Sequence, residues 1–249
     1  MFSLENKVAL VTGANTGIGQ GLAVGLAAAG ADIAAVGRSE PSETQQAVEK
    51  LGRRFVFIEA NLSEIDHVAS VVEKAETALG AVDILVNNAG TIKRNDALEF
   101  TEDDWDSVMD VNLKTLFFLT QATARRMIAT GRQGKIINIA SMLSYQGGIR
   151  VASYTASKSG VAGLTKLLAN EWASKNINVN AIAPGYIANN NTAALRADEK
   201  RNAEILGRIP AGRWGAPDDL AGAAVFLASS ASDYVHGTTL AVDGGWLAR

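Results

Sequence analysis

Residues 7–21 read KVALVTGANTGIGQG. Six residues of strand character run directly into glycines at 13, 17 and 19, and beyond them the pattern turns helical. Glycine lets the main chain approach a diphosphate closely, and the helix that follows offers N–H donors and the positive end of its dipole. Tight packing of a helix on a strand is the other use of such glycines. The order strand, glycine turn, helix favours the first, because it is the order of a dinucleotide-binding βα unit. Gly13, Asn15, Thr16, Gly17, Ile18 and Gly19 are therefore expected to hold a dinucleotide.

Outward from this unit the same alternation repeats. Strands are expected at 7–12, 31–37, 54–60, 83–89, 135–140, 177–183 and 238–244, and helices near 18–29, 42–52, 64–79, 102–130, 152–175 and 217–229. Continuous apolar strands such as KVALVT and KIINIA suit a parallel sheet buried on both faces. The class is α/β, a doubly wound parallel sheet with helices on both sides. Ser63 and Pro217-Asp218 are expected to cap helices. No linker or repeat divides the chain, so residues 1–249 read as one domain. Residues 184–216 fit no strand and are expected to form a mobile, partly helical lid.

Composition narrows the possible functions. With 249 residues the chain can bury about three quarters of its unfolded surface and needs no staples. A net charge of −3 gives no basic footprint for nucleic acid. Zero cysteines exclude disulfides and thiolate metal sites and suit a cytoplasmic home. The start MFSLENKVAL lacks the pattern of a secretory signal, and no stretch reads as a membrane span. His67 and His236 have no metal-ligand spacing, and no metal is expected.

Chemistry concentrates where strands end. Strand two closes on VGRS, where an acid would accept from a ribose 2′-hydroxyl; Gly37 removes the acid, and Arg38 is either a fork for a 2′-phosphate or a solvated strand-end arginine. Strand four closes on VNNAG, placing Asn88, Ala89 and Gly90 at the ligand edge of the sheet. Strand five leads to Ser141, and then comes SYTASKSG (153–160). Tyr154 and Lys158 stand one helical turn apart on one face. A free phenol, with a pKa of about 10, is a poor base, and a neighbouring ammonium would lower it. Lys158 would also hold cofactor ribose hydroxyls, and Ser141 would bond the substrate oxygen. Asn112, within the helix 102–130, would use its amide to hold a water leading to Lys158.

This ordered set, T-G-x-x-x-G-x-G, N-N-A-G, Asn112, Ser141, Y-x-x-x-K and then Pro184-Gly185, resembles the classical short-chain dehydrogenase/reductase family over essentially the whole chain. The resemblance implies a seven-stranded Rossmann sheet, NAD(P)-dependent interconversion of alcohol and ketone, and a homotetramer. It implies catalytic roles for Asn112, Ser141, Tyr154 and Lys158. It implies cofactor contacts by the glycine loop, Asn61, Leu62, Asn88, Pro184, Gly185, Ile187 and Asn189. A narrower resemblance runs through ASMLSYQGGIRVASYTASKSG and the lid, to members that act on acidic keto sugars in uronate and pectin breakdown, chiefly with NAD. Three departures stand out. Asn61 replaces the usual aspartate at the adenine amino group, where an amide oxygen can serve equally. Asn189 replaces a threonine. Arg38 points to NADP while Thr16 is not basic, so NAD and NADP both stay open.

A keto-sugar acid needs a cation for its carboxylate. Arg150 and Arg94 are the candidates, with Gln146 for hydroxyls, and solvent-facing loop charges are the alternative for each arginine. Arg213, in GRWG, reads as structural. The competing functions are a gluconate 5-dehydrogenase, a 3-oxoacyl-carrier-protein reductase and a nucleotide-sensing regulator on the same fold. The complete acid/base set argues against the sensor, and the net acidity against an acidic carrier protein.

Overall fold

The apolar runs become seven parallel strands: Val8–Thr12 (β1), Asp32–Gly37 (β2), Phe55–Glu59 (β3), Ile84–Asn87 (β4), Gly134–Ile139 (β5), Ile177–Pro184 (β6) and Thr239–Val242 (β7). They order as β3-β2-β1-β4-β5-β6-β7 in a computed structural model describing residues 1–249. β1 shows why these segments are strands. All five of its residues are buried, and alternate side chains go to opposite faces. Val8 and Leu10 join the core under Val68–Leu79 (α3), Leu116–Ala129 (α5) and Ala152–Trp172 (α6). Ala9 and Val11 join the core under Gly17–Ala28 (α1) and Ala221–Ala228 (α9), with Val48 of Ser42–Lys50 (α2). Fully buried side chains such as Leu10, Ile33 and Ile137 each contribute about 1.5–3 kcal/mol.

The expected helix over 102–130 is present but interrupted. Glu102–Met109 (α4) is followed by a π turn at Asp110–Thr115 before α5 begins. The extra residue lets Asn112 turn fully inward, where it reaches Thr91 and Ser157. Ser63 does not cap, since its hydroxyl bonds Asn61 Oδ1 at 2.9 Å and the helical turn starts at Ile65. At the later start Pro217 sits in the first turn as expected, yet the capping carboxylate is Asp219, which accepts from Ala216 N at 2.7 Å. No helix is long and apolar enough to cross a membrane.

Between β6 and α9 the segment 184–216 carries two short helices, Ala193–Ala197 (α7) and Glu199–Arg208 (α8). It is fastened at its base by the Ile187–Gly215 bridge and by Trp214 Nε1 donating to Asn202 Oδ1 at 2.7 Å. Ile205 and Ile209 turn inward onto Met142 and Trp246. This segment therefore has its own apolar floor.

Candidate active site

β1 has β2 on one side and β4 on the other, so the chain changes direction there and opens a crevice at the carboxyl ends of the strands. A cleft of about 250 Å³ occupies it. The walls are Gly13, Asn15, Thr16, Gly17, Ile18 and Gly19, then Asn88, Ala89, Gly90 and Thr91, then Ile139, Tyr154, Lys158 and Asn189–Asn191. Residues far apart in sequence share one space.

The glycine loop is shaped for a close ligand. Gly13 sits at φ +65°, and a Cβ on Gly19 would fall on the Gly13 carbonyl oxygen. Asn88 braces the loop by donating from Nδ2 to Thr12 O at 2.9 Å, while Thr12 Oγ1 accepts from the amides of Asn88 and Ala89 at 3.0 and 2.9 Å. Thr44 Oγ1 donates to Ala14 O at 2.7 Å from below. At the start of α1, Thr16 makes no side-chain cap, so the first-turn N–H groups keep their donors for an anion. At the end of β2, Arg38 is exposed without an ion pair, and a Cβ on Gly37 would meet nothing within 4 Å. These residues fit a dinucleotide, with space and charge for a 2′-phosphate.

Other expected contacts are placed differently. The Asn61 amide oxygen already accepts from Ser63 N and Ser63 Oγ, at 3.2 and 2.9 Å, and its nitrogen donates to Glu64. Reaching an adenine would mean giving up its own turn. Leu62 is buried in the core beneath. Pro184 ends β6, and Gly185 and Ile187 line a second cavity of about 210 Å³ between the lid base and β7. Asn189 faces the main cleft and caps the Asn190–Thr192 turn, accepting from Thr192 N at 3.2 Å.

The catalytic candidates converge. Lys158 is buried, and its Nζ donates to Ile139 O at 2.6 Å and stands 5.7 Å from the centre of the Tyr154 ring. Burial lowers its pKa to about 8. Burial pushes the Tyr154 phenol up, against which the Ser141 hydroxyl and the charge of Arg94 act to lower it. Lys158 Nζ, which donates to Ile139 O, also stands over the phenol ring, so Ser141 and Arg94 act on the phenol beside it. Asn112, fully buried, accepts from Thr91 N at 2.8 Å and donates to Thr91 O at 2.9 Å and Ser157 Oγ at 3.2 Å. Its amide is occupied, so the expected water-holding role does not fall to the amide. The side chain instead ties the loop after β4 to α6, where Ser157 Oγ donates to Tyr154 O at 2.9 Å.

The substrate candidates divide. Arg150 lies at φ +63° with Nε 3.4 Å from Asp96, so its charge is already matched. Arg94 donates to Asn191 O at 3.3 Å and has no acidic partner. Gln146 Oε1 accepts from Arg208 at 3.3 Å. Arg213 forks onto Asp219 at 2.7 and 2.8 Å, a structural contact as its motif suggested. His67 stands 3.5 Å from Glu64, and His236 Nε2 stands 3.2 Å from Asn178 Nδ2. Sequence reasoning did not find the Thr12 hydroxyl, the Ile139 carbonyl or Ser157. A main-chain acceptor leaves no mark in a sequence, whereas Thr12 and Ser157 stand inside the quoted motifs and could have been read.

A family model described as enoyl-(acyl carrier protein) reductase matches residues 13–247. The chain is 66% identical over 248 residues to the 2-dehydro-3-deoxy-D-gluconate 5-dehydrogenase of Escherichia coli K12, covering 100% of this chain and 98% of that one. Among solved structures it is similar to a candidate 2-deoxy-D-gluconate 3-dehydrogenase from Agrobacterium tumefaciens with bound NADP. The identity is 62%, with 100% and 99% of the chains covered and a TM-score of 0.95. It is also similar to a gluconate 5-dehydrogenase from Burkholderia cenocepacia in complex with NADP and tartrate, at 42% identity, 100% and 98% coverage and a TM-score of 0.94.

Proposed function

The chain belongs to the short-chain dehydrogenase/reductase family and is an NAD(P)-dependent oxidoreductase, and on that premise we propose that it interconverts a secondary alcohol and a ketone on a sugar acid, acting as a 2-dehydro-3-deoxy-D-gluconate 5-dehydrogenase. The observation that carries the substrate is the 66% identity over 248 residues, a match whose span includes the whole site and the lid.

The chain's own groups account for the proton chemistry. Tyr154 takes the proton from the alcohol, or returns it to the ketone oxygen, at its phenolic oxygen. Ser141 stands beside that phenol and bonds the same substrate oxygen as charge develops on it. Arg94 acts on the phenol from the loop after β4, favouring its charged form. Lys158, held by the Ile139 carbonyl, faces both the phenol and the cleft where a ribose would lie. When bound, the coenzyme supplies hydride exchange at the reacting carbon. Gly13–Gly19 and Asn88–Gly90 would hold it, with Arg38 meeting a 2′-phosphate, so NADP is favoured and NAD accepted.

The segment 184–216 acts as a lid that closes over substrate and excludes water. Arg94, whose charge acts on the phenol, is assigned to the reacting end, and Arg150, paired with Asp96 at 3.4 Å, would have to exchange that partner to take the carboxylate. The homotetramer that the family resemblance implies is part of this proposal, and the exposed side chains of Trp105, Phe118 and Leu167 are ones a subunit interface could cover. Coenzyme dependence carries with it a cytoplasmic setting, where nicotinamide coenzymes circulate.

The test is steady-state reduction of 2,5-diketo-3-deoxygluconate by wild type and Tyr154→Phe, with NADPH and NADH. Wild type should turn over and the variant should lose about 10²-fold or more in kcat while still binding coenzyme. A wild type that binds coenzyme but reduces only gluconate-type 5-ketones would shift the assignment to a gluconate 5-dehydrogenase. One that reduces nothing would overturn it.

A further inference from the structure

The arginines around the catalytic end of the sheet differ in what neutralises them. Arg150 has Asp96 and Arg213 has Asp219. Arg208, the last residue of α8, is exposed and has no carboxylate within ion-pair distance. Its guanidinium carbon lies 4.0 Å from the centre of the Trp246 ring, and one terminal nitrogen donates to Gln146 Oε1 at 3.3 Å. A guanidinium stacked on indole is held as a plane while its in-plane N–H edge stays free. The Gln146 contact is long and to a neutral acceptor, so a carboxylate would displace it readily.

Gln146, the partner of this guanidinium, follows closely on the catalytic serine. Gln146 N donates to Met142 O at 3.1 Å, and Met142 directly follows Ser141. At roughly 2 Å per residue in so tight a turn, Gln146 lies within roughly 10 Å of Ser141. The platform is rigid as well. Trp246 is buried 4.7 Å from the Tyr186 ring and among Met142, Ile205 and Ile209. Asp243 fixes the tail by accepting from Gly245 N and Leu247 N, both at 2.9 Å, and Arg249 donates to Gly207 O at 2.8 Å, next to Arg208.

We propose that Arg208, held over Trp246 and steered by Gln146, is the specificity residue that binds the carboxylate at the non-reacting end of the substrate, with the C-terminal tail as the floor of that subsite. The inference rests on the sugar-acid reading above. Arg94 serves the reacting oxygen, and Arg208 serves the far end. Trp246 and Gln146 are positioning residues that act through Arg208.

The experiment compares reduction of 2,5-diketo-3-deoxygluconate with that of its uncharged C1 amide, using the full-length enzyme at saturating coenzyme. Arg208→Ala should raise KM for the acid about tenfold to a hundredfold, the loss of a charge-assisted hydrogen-bonded pair. kcat and the KM for the amide should stay within about threefold. Gln146→Glu gives the guanidinium an internal carboxylate and should reproduce the acid-specific loss in a folded protein with unchanged coenzyme affinity. Trp246→Phe should retain most of the preference for the acid. A KM for the acid that stays within about twofold in both Arg208→Ala and Gln146→Glu would overturn the proposal. So would equal losses on acid and amide, which would mean that Arg208 only supports the lid. A wild type that reduces neither compound sinks the sugar-acid reading itself, an outcome distinct from failure of the variants.

Discussion

At the scale of single residues, Arg38 and Asn61 show what a sequence can and cannot say about coenzyme choice. Arg38 followed from VGRS, because an unpaired arginine at a strand end needs only its position to be read. The structure leaves it exposed with open space beside Gly37. Arg38→Ala should therefore raise KM for NADPH about tenfold or more while moving KM for NADH by less than about threefold, as steady-state assays with each coenzyme will show. Asn61 was not legible in this way. Its residue type suited adenine, but its actual partners are Ser63 and Glu64, set by a local turn. Arg150 misled for a similar reason: Asp96 lies 54 positions earlier, and only folding brings the two charges together.

At the scale of elements, the apolar runs located the strands and helices to within a few residues: β1, β4, β5 and β6 are buried throughout, and the edge strands β3 and β7 only in part. The π turn at Asp110–Thr115 was invisible because its cause is a partner outside the helix, the Thr91 backbone. Asn112→Ala should strand that backbone pair and lower stability by about 1–3 kcal/mol, read from urea midpoints, with kcat falling because Ser157 loses its tie to the loop. The glycine turn gives a sharper contrast. A methyl at residue 19 collides with the Gly13 carbonyl, whereas one at residue 37 has room. Gly19→Ala should abolish coenzyme binding by calorimetry or fluorescence. Gly37→Ala should bind NADPH with an affinity near that of wild type.

Across the whole molecule, buried titratable groups tie stability to pH. Lys158 has a pKa of about 8 when folded, against an ordinary 10.5. Below pH 8 it is charged in both states, and the fold bears the full burial cost. Between about 8 and 10.5 the folded lysine sheds its proton first, so the unfolded chain binds more protons and stability rises with pH. The rise should total about 3 kcal/mol in the coenzyme-free enzyme. Tyr154, held neutral by burial, acts in the opposite direction above its ordinary range near 10. Urea unfolding between pH 8 and 10 will show the slope, and Lys158→Met should flatten it; an equal slope in that variant would remove Lys158 as its source.

The strand order has a consequence for biosynthesis. In β3-β2-β1-β4-β5-β6-β7 each strand, in the order it is made, joins an edge that is open at that moment, and none must be inserted between two already paired. A nascent chain can therefore keep folding as it leaves the ribosome, N-terminal half first. The coenzyme cradle, at residues 13–19, is thus made well before the tryptophan platform at Trp246. Translation arrested before residue 239 would leave a polypeptide with its glycine loop, phenol and lysine already synthesised, but with neither the seventh strand nor the floor beneath the lid.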